Sequence, residues 1–243
     1  MRTIAIIQTR MGSRRLPGKV LRDLAGDTML ARVVQRVRAA RTISQIVIAT
    51  TNTDIDDAVV REGSRLGCGV FRGSEDDVLA RYLGAAREFD ADRVVRMTSD
   101  CPLLDPAVID AVVAALGPDL DYVSNTHDRS YPRGLDVEAF HRDTLERMAR
   151  LAESPPAREH VTAYVVERPD LFVTRQVKAA GDDSDLRWTV DAPDDLALVR
   201  TLYDLLDLGR VHRPYRELVQ IVRARPELTT INAHVVQKGF RVD

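Results

Sequence analysis

Short apolar runs alternate with stretches of helical periodicity along the first half of the chain. The runs Thr3–Gln8 and Gln45–Thr50 are almost unbroken, as expected for strands buried on both faces. Runs at Gly69–Arg72 and Asp92–Met97 predict two more strands, and apolar residues return at helical spacing over Thr28–Ala40. Repeated strand–helix units predict a parallel sheet covered by helices on both faces, a doubly wound α/β fold.

Residues with capping chemistry mark the expected starts of three more helices. The pairs are Thr53 with Asp56, Ser74 with Asp77, and Asp105 with Pro106. The first pair resembles a capping box, and its helix is expected to end near Leu66. Asp followed by Pro is favoured at the cap and first turn of a helix, which we expect to end near Leu116.

The second half of the chain is less regular. Four further strands are predicted, at Asp121–Ser124, Leu135–Phe140, Phe172–Val177 and Arg187–Val190. Four further helices are predicted, at Asp143–Leu151, Arg158–Val166, Pro193–Leu206 and Tyr215–Arg223. No linker is evident, so we expect one domain over residues 1–243, with an inserted or appended lobe around residues 125–180.

The charge balance argues against a protein that binds nucleic acid through bulk charge. The 243 residues include 35 Lys and Arg against 37 Asp and Glu, a formal charge of −2. The apolar runs are too short to cross a bilayer, and residues 1–7 lack the apolar region of a signal peptide. The spacing of Cys68 and Cys101 suits neither a zinc site nor a disulfide framework. We therefore expect a cytoplasmic protein with free thiols and no membrane partner.

A basic loop follows the first predicted strand. Its cations and the residues that shape its backbone are Arg10, Arg14, Arg15 and Lys19, with Gly12, Pro17 and Gly18. Four cations on so short a loop repel one another unless an anion neutralises them. A strand that leads into such a loop predicts a polyphosphate site. Neither G-x-x-x-x-G-K-[ST] nor G-x-G-x-x-G is present, so side chains must bind the phosphates; a merely solvated loop is the alternative.

Two carboxylates follow predicted strands and precede helices. Asp100 ends the fourth strand, and Asp191 follows Arg187–Val190. Ligands of open parallel sheets bind at the carboxyl ends of the strands, and Mg²⁺ commonly takes one or two carboxylates plus substrate phosphates. A magnesium site is therefore one interpretation, and a pair of turn formers or helix caps is the other. We interpret Asp194 and Asp195 as partners of a helix dipole rather than ligands.

A polyphosphate loop beside a magnesium site is typical of nucleotidyl transfer. Arg and Lys would neutralise a nucleoside triphosphate, and the metal would bridge the α-phosphate and an incoming oxygen nucleophile. Such a reaction depends on positioning and charge stabilisation and needs little covalent chemistry from the protein.

Seven segments together resemble one enzyme family. They are QTRMGSRRLPGKVL, IVIATT, TSDCPLLDP, YPRGLDVEAF, REHVT, LRWTVDAPDDLALV and INAHVVQKG. They span almost the whole chain and resemble the cytidylyltransferases that activate acidic sugars as CMP conjugates, most closely the branch called spore coat polysaccharide biosynthesis protein F. The resemblance implies a Rossmann-like, mostly parallel sheet with a small lobe that mediates homodimerisation. It also implies CTP and an acidic small-molecule acceptor as substrates.

The resemblance implies roles for individual residues as well. Arg10 and Lys19 would bind the CTP phosphates with help from Arg15, and Asp100 and Asp191 would ligate Mg²⁺. The further positions at which the family contacts the nucleotide correspond to Gln8, Thr9, Met11, Gly12 and Ser99.

The acceptor region is expected in two stretches. Residues 131–138 supply Tyr131, Arg133, Gly134, Asp136 and Glu138, and residues 158–160 supply Arg158, Glu159 and His160. Arg133 could pair bidentately with an acceptor carboxylate, and His160 could act as a base on the nucleophilic hydroxyl. A structural role for His160 is the alternative. Trp188 and Phe140 are expected in the core.

Other functions remain open from the sequence. The same chemistry could use another nucleotide or a non-sugar acceptor, such as a phosphonate. A nucleotide-sugar-binding protein or a glycosyltransferase is the alternative of another class. Such a transferase usually needs a D-x-D motif, and the only one here is Asp183–Ser184–Asp185, in a polar loop with no clear strand before it.

Overall fold

A seven-stranded sheet forms the centre of the molecule. The structure is a computed structural model that describes residues 1–236. Its main sheet runs in the order β5-β4-β1-β6-β8-β7-β9, and of these strands β8 alone is antiparallel to its neighbours. The bounds are β1 Thr3–Gln8, β4 Gln45–Thr51, β5 Gly69–Gly73, β6 Arg93–Thr98, β7 Tyr122–Ser124, β8 Glu138–His141 and β9 Thr174–Gln176. The predicted mostly parallel α/β fold is confirmed.

Helices cover both faces of this sheet. Their bounds are α1 Met29–Arg38, α2 Asp57–Arg65, α3 Val78–Glu88, α4 Pro106–Ala115, α5 Arg142–Leu151, α6 Pro155–Glu159, α7 Ala163–Glu167, α8 Pro193–Leu206, α9 Tyr215–Arg223 and α10 Pro226–Thr230. Two short strands, β2 Asp23–Leu24 and β3 Asp27–Thr28, form a small hairpin before α1. Single 3₁₀ turns occur at Lys19–Leu21, Asp54–Asp56 and Pro169–Leu171.

Alternation along the strands divides the core between the two faces. In β1, Ala5 and Ile7 pack with α1, α4 and α8, whereas Ile4 and Ile6 pack with α3 and α5. All four side chains are fully buried, as expected for a strand covered on both sides. Trp188 belongs to the first of these clusters and Phe140 to the second, so both are core residues as predicted.

The strand order creates a crevice at one edge of the sheet. From β1 the chain crosses to β4 and β5 on one side, and β6 lies on the other side. The order therefore reverses between β1 and β6, which is where ligands of open α/β sheets bind. The register pairs Gln8 with Thr98, so the loops after these two strands leave the sheet side by side.

Arg187–Val190 was predicted as a strand, and this prediction is wrong. Arg187 makes only an isolated bridge with Arg133, although Val190 N–H also donates to Asp100 O at 2.8 Å. The reason lies at Gly134, whose φ of 106° belongs to a region that favours glycine. A Cβ there would lie 2.6 Å from the Thr189 nitrogen, so the two segments touch backbone to backbone at that point.

Two helix predictions also need correction. The helix predicted over Arg158–Val166 is split into α6 and α7, because Val161 adopts a φ of 55° between them. The capping box of Thr53 and Asp56 does not form: the chain makes a 3₁₀ turn there, and Asp56 turns inward. The predicted strand Leu135–Phe140 is shifted, since the ladder covers only β8.

Three further expectations have outcomes in the described part of the chain. Cys68 and Cys101 are free thiols, as predicted. Within residues 1–236, none of the helices combines the length and apolar character that a membrane span requires. Residues 237–239, the end of the INAHVVQKG segment, lie outside the described residues.

Candidate active site

A cavity of about 1020 Å³ opens at the carboxyl ends of β1 and β6. The basic loop forms one wall, the loop at residues 75–78 a second, and residues 155–160 a third. Its charged lining residues are Arg10, Arg14, Arg15, Lys19, Glu75, Asp76, Asp77, Arg81, Asp100, Arg158, Glu159 and Asp191. Such a dense mixture of both signs is typical of a site for a charged ligand.

Lys19 lies at the centre of this arrangement. Its Nζ donates to Asp100 Oδ2 at 2.9 Å, to Asp191 Oδ1 at 3.0 Å and to Val190 O at 2.7 Å. The lysine side chain is 11% exposed, and the two carboxylates are 23% and 17% exposed. Burial alone would lower the pKa of Lys19, but the two negative charges outweigh it and hold that pKa above its ordinary value. One ammonium therefore bridges two half-buried carboxylates.

Asp100 is held from its second oxygen as well. Thr98 Oγ1 donates to Asp100 Oδ1 at 2.6 Å, and the Cys101 thiol lies 3.5 Å from the same oxygen. Burial acts to raise the pKa of Asp100, yet the Lys19 charge and these hydrogen bonds keep it below its ordinary value. Asp100 is therefore ionised at neutral pH and fixed in orientation.

Asp191 carries a second layer of cations. Arg15 Nη2 lies 3.2 Å and Arg187 Nη2 lies 3.0 Å from Asp191 Oδ2, while Oδ1 faces Lys19. Arg187 also forms an ion pair with Asp195, which is completely buried. Sequence reasoning missed Arg187 and assigned Asp195 to a helix dipole, because the i, i+4 and i, i+8 relations across a non-helical segment have no sequence signature.

The basic loop is anchored from below by Asp56. This carboxylate is 1% exposed and accepts the Met11 N–H at 2.7 Å, with Thr50 and Thr51 bonded to its other oxygen at 3.0 and 3.1 Å. The hydrogen bonds keep the pKa of Asp56 below its ordinary value although burial opposes them. Sequence reasoning missed this anchor because it read Asp56 as part of a capping box.

Two arginines near the mouth of the cavity are paired with its acidic wall. Arg10 Nη1 lies 3.0 Å from Glu75 Oε1, and both side chains are 45% exposed. Arg158 Nε donates to Asp77 Oδ2 at 3.0 Å, while Asp77 Oδ1 caps α3 through the Ala80 N–H. Exposed pairs of this kind exchange partners at little cost in free energy, so Arg10 is available to a stronger anion.

The residues implied to contact the nucleotide are brought to the cavity with one exception. Gln8, Thr9, Gly12 and Ser99 line it, whereas Met11 contributes its backbone N–H to Asp56 and does not line it. The Thr9 hydroxyl is buried and has no hydrogen-bond partner in the structure. A buried hydroxyl without a partner is costly, and a ligand oxygen or amine could satisfy it.

The two acceptor stretches separate in the structure. Arg158 and His160 line the cavity, whereas Tyr131, Arg133 and Glu138 do not. Tyr131 packs against Tyr215 with ring centroids 5.3 Å apart. Glu138 is 5% exposed and accepts from Tyr122 at 2.6 Å and pairs with Arg96.

Arg133 belongs to a different cavity. It lines a pocket of about 420 Å³ between the 184–188 segment and α9 and α10. The D-x-D segment lies beside this second pocket, where Asp183 and Asp185 pair with Arg223 at 3.2 and 2.6 Å. Both aspartates are thus engaged away from the first cavity, which does not favour a D-x-D metal site.

His160 borders the first cavity with an imidazole that stays neutral. Partial burial lowers its pKa below the ordinary value, and the charge of Arg96 acts in the same direction against that of Glu159. A neutral imidazole near a cavity can accept a proton, so the geometry is compatible with a base as well as with a structural role.

The pair Asp100 and Asp191 fits a magnesium ion. Within residues 1–236, no group of three or more His, Cys, Asp or Glu side chains is arranged to hold a metal. Mg²⁺ does not need such a cage, since it usually keeps several waters and takes one or two carboxylates plus substrate phosphates. The two carboxylates already share a cation, the Lys19 ammonium, and a carbonyl oxygen of Val190 lies at the same point.

Comparison with known proteins agrees with this site. The family model described as cytidylyltransferase matches residues 4–204, so the chain belongs to the cytidylyltransferase family and is a nucleotidyltransferase enzyme. An uncharacterised protein of Methanocaldococcus jannaschii is 36% identical, over 99% of this chain and 98% of its own. The spore coat polysaccharide biosynthesis protein SpsF of Bacillus subtilis is 32% identical, over 93% of this chain and 95% of its own.

Two further relatives extend the comparison to structure and substrate. A cytidylyltransferase structure from Leptospira borgpetersenii superposes with a TM-score of 0.89 at 30% identity, over 94% of this chain and 97% of its own. A 3-deoxy-manno-octulosonate cytidylyltransferase of Anaeromyxobacter dehalogenans is 29% identical, over 83% of this chain and 98% of its own.

Proposed function

We propose that this cytidylyltransferase transfers CMP from CTP to an acidic sugar and releases pyrophosphate, with Mg²⁺ held by Asp100 and Asp191. The single observation that carries the proposal is the cluster of Lys19, Asp100 and Asp191 at the switch point between β1 and β6. The similarity to SpsF supports a role in surface polysaccharide synthesis, and the octulosonate relative supports a sugar acid as acceptor.

The basic loop would bind the triphosphate. Arg15 and Lys19 lie next to the two carboxylates, and Arg10 lies at the rim, where its exposed pair with Glu75 can open. Three cations along one loop can neutralise β- and γ-phosphates and so stabilise the departing pyrophosphate. Gln8, Thr9 and Ser99 would contact the base and ribose.

The bond changes are those of a displacement at phosphorus. An acceptor hydroxyl oxygen forms a bond to the α-phosphorus of CTP, the bond from that phosphorus to the bridging oxygen of pyrophosphate breaks, and the hydroxyl proton leaves. A metal bound at Asp100 and Asp191 would supply charge neutralisation at the α-phosphate. We propose that His160 accepts the proton and that Arg158 pairs with the acceptor carboxylate.

We also propose that the enzyme is a homodimer. The segment 166–173 exposes Val166, Leu171 and Val173 at 44%, 37% and 56%, and it leads into β9, the last strand of the main sheet. Apolar side chains next to a sheet edge are a common setting for contact between two copies of a chain.

Pyrophosphate release tests the reaction. The enzyme with CTP and Mg²⁺ would be offered a panel of sugar acids, phosphorylated small molecules and neutral sugars. We expect stoichiometric pyrophosphate and a CMP conjugate with at least one sugar acid, and none without an acceptor. Turnover with a phosphonate or a neutral sugar alone would overturn the acceptor class, and turnover with UTP or ATP equal to that with CTP would overturn the nucleotide.

A further inference from the structure

Asp195 lies behind the site, in the first turn of α8, and is completely buried. Its two oxygens accept five hydrogen bonds between them. The donors are Asp191 N and Ala192 N, each at 2.9 Å, Arg187 Nε at 2.9 Å, Arg187 Nη2 at 3.1 Å and Asn232 Nδ2 at 2.9 Å. A carboxylate has room for about four strong acceptor positions, so this one is saturated and cannot rotate.

The bonds of Asp195 reach Asp191 by two routes. Directly, Asp195 fixes the Asp191 backbone N–H. Indirectly, it holds Arg187, whose Nη2 lies 3.0 Å from Asp191 Oδ2. Arg187 thus contacts one carboxylate oxygen of Asp191, which leaves Oδ1 turned toward Lys19 and the cavity.

Asn232 connects the C-terminal segment to the same cluster. Its amide nitrogen donates to Asp195 Oδ1 and, at 3.0 Å, to the Arg187 carbonyl, and the residue is 4% exposed. The segment 187–192 has no strand ladder to hold it in place, because it makes only one isolated bridge. These side-chain bonds supply the rigidity that a ladder would otherwise give.

We propose that Asp195 is a positioning residue: it orients the Asp191 carboxylate toward the metal through Arg187 and the Asp191 backbone, and Asn232 supports it. The inference rests on the proposed function, since it assumes that Asp191 binds the metal. Residues that orient metal ligands change metal affinity by about 10- to 100-fold when they are replaced.

Manganese binding tests this without turnover. Free Mn²⁺ would be titrated against the protein with CTP present and followed by electron paramagnetic resonance. We expect Asp195→Asn to weaken Mn²⁺ binding by about 10- to 100-fold. Asp194→Asn is the matched control, because Asp194 lies in the same turn, is 50% exposed and pairs only with His234 in the described part of the chain. It should leave Mn²⁺ affinity unchanged.

The double variant separates positioning from general stability. If Asp195 acts through Asp191, Asp195→Asn should weaken Mn²⁺ binding little further in an Asp191→Asn background. Losses that simply add would overturn the inference. Wild-type Mn²⁺ affinity in Asp195→Asn, when Asp191→Asn binds weakly, would also overturn it. Wild-type affinity in Asp191→Asn would instead overturn the proposed metal site, and the inference with it.

A milder variant covers the case in which Asp195→Asn does not fold. Asn232→Ala removes one of the five bonds and leaves the carboxylate in place. We expect it to accelerate hydrogen exchange at the Asp191 amide and to weaken Mn²⁺ binding several-fold. Unchanged exchange together with unchanged Mn²⁺ affinity would contradict the proposed support.

Discussion

One ammonium group takes the place of a metal in this site. Lys19 lies within 3.0 Å of both Asp100 and Asp191, so the charge of two neighbouring carboxylates is balanced without a divalent ion. When a metal and a triphosphate bind, the lysine can turn to the phosphates while the metal takes over the carboxylates. The same three residues would then serve the free and the bound enzyme with different pairings.

Removal of this lysine should make stability depend on the metal. Lys19→Met leaves two partly buried carboxylates together, and we expect it to lower the free energy of unfolding by about 2 kcal/mol without a metal. Mg²⁺ should restore much of this loss, because it neutralises the same charges. Urea unfolding with chelator and with Mg²⁺ measures both effects.

Lys178→Met is the matched control for that experiment. Lys178 pairs with Asp128 on the surface, where the side chains are 54% and 66% exposed, so its removal should change stability by less than about 0.5 kcal/mol. If Lys19→Met were as stable as this control, and equally indifferent to Mg²⁺, the shared site of lysine and metal would be wrong.

Asp100 and Asp191 should be needed for turnover but not for folding. Asp100→Asn and Asp191→Asn keep side-chain size while removing a charged ligand, so we expect pyrophosphate release to fall on the order of a hundredfold or more. Far-ultraviolet circular dichroism checks that the fold persists. A variant that keeps near-normal turnover at low Mg²⁺ identifies a residue that is not a ligand.

At the scale of elements, the sequence predicted what local pattern determines. The buried strands β1, β4 and β6 were found because parallel strands covered on both sides are continuous apolar runs. The caps at Asp77 and Asp105 were found because each bonds to a backbone N–H two or three residues ahead. The loop of Lys19 and the strand-end Asp100 follow from the same logic.

What the sequence did not predict depends on contacts between distant segments. The stretch 187–190 has the composition of a strand, yet the close approach of Gly134 replaces a ladder there. The break at Val161 and the inward turn of Asp56 have the same kind of cause, a tertiary contact that overrides a local preference. Tyr131 and Arg133 were drawn from the resemblance, and nothing local shows that they face away from the first cavity.

Gly134→Ala tests the element that holds Asp191. An alanine Cβ would meet the Thr189 nitrogen at 2.6 Å, and a φ of 106° is strained for alanine. We expect a loss of about 2 kcal/mol or more in stability, and weaker CTP turnover because the 187–191 segment shifts. Gly181→Ala, at a site with open space and no positive φ, should be neutral in urea unfolding and in activity. Equal behaviour of the two variants would contradict the role given to Gly134.

At the scale of the whole molecule, one sheet connects the catalytic edge to the proposed dimer surface. The strands β8, β7 and β9 extend the sheet away from the switch point, so the exposed segment 166–173 lies on the far side of β6 from β4 and β5. A dimer formed there would leave the mouth of the cavity open.

Val173→Asp should therefore give a folded monomer. Val173 is 56% exposed, so a charge there disturbs a contact between copies without disturbing the core. Light scattering would give the mass, with Val211→Asp, at 45% exposure elsewhere on the surface, as the control that stays dimeric. A wild-type protein that is monomeric at working concentration would refute the dimer.

The most direct test of the central claim is the affinity of CTP, measured by calorimetry with Mg²⁺ present. If the basic loop binds the triphosphate, wild type should bind CTP more tightly than ATP, GTP or UTP. Lys19→Met should then lose about 1.5–3 kcal/mol of binding free energy, while Lys178→Met loses none. Unchanged CTP affinity in Lys19→Met, or equal affinity of wild type for all four nucleotides, would contradict the account.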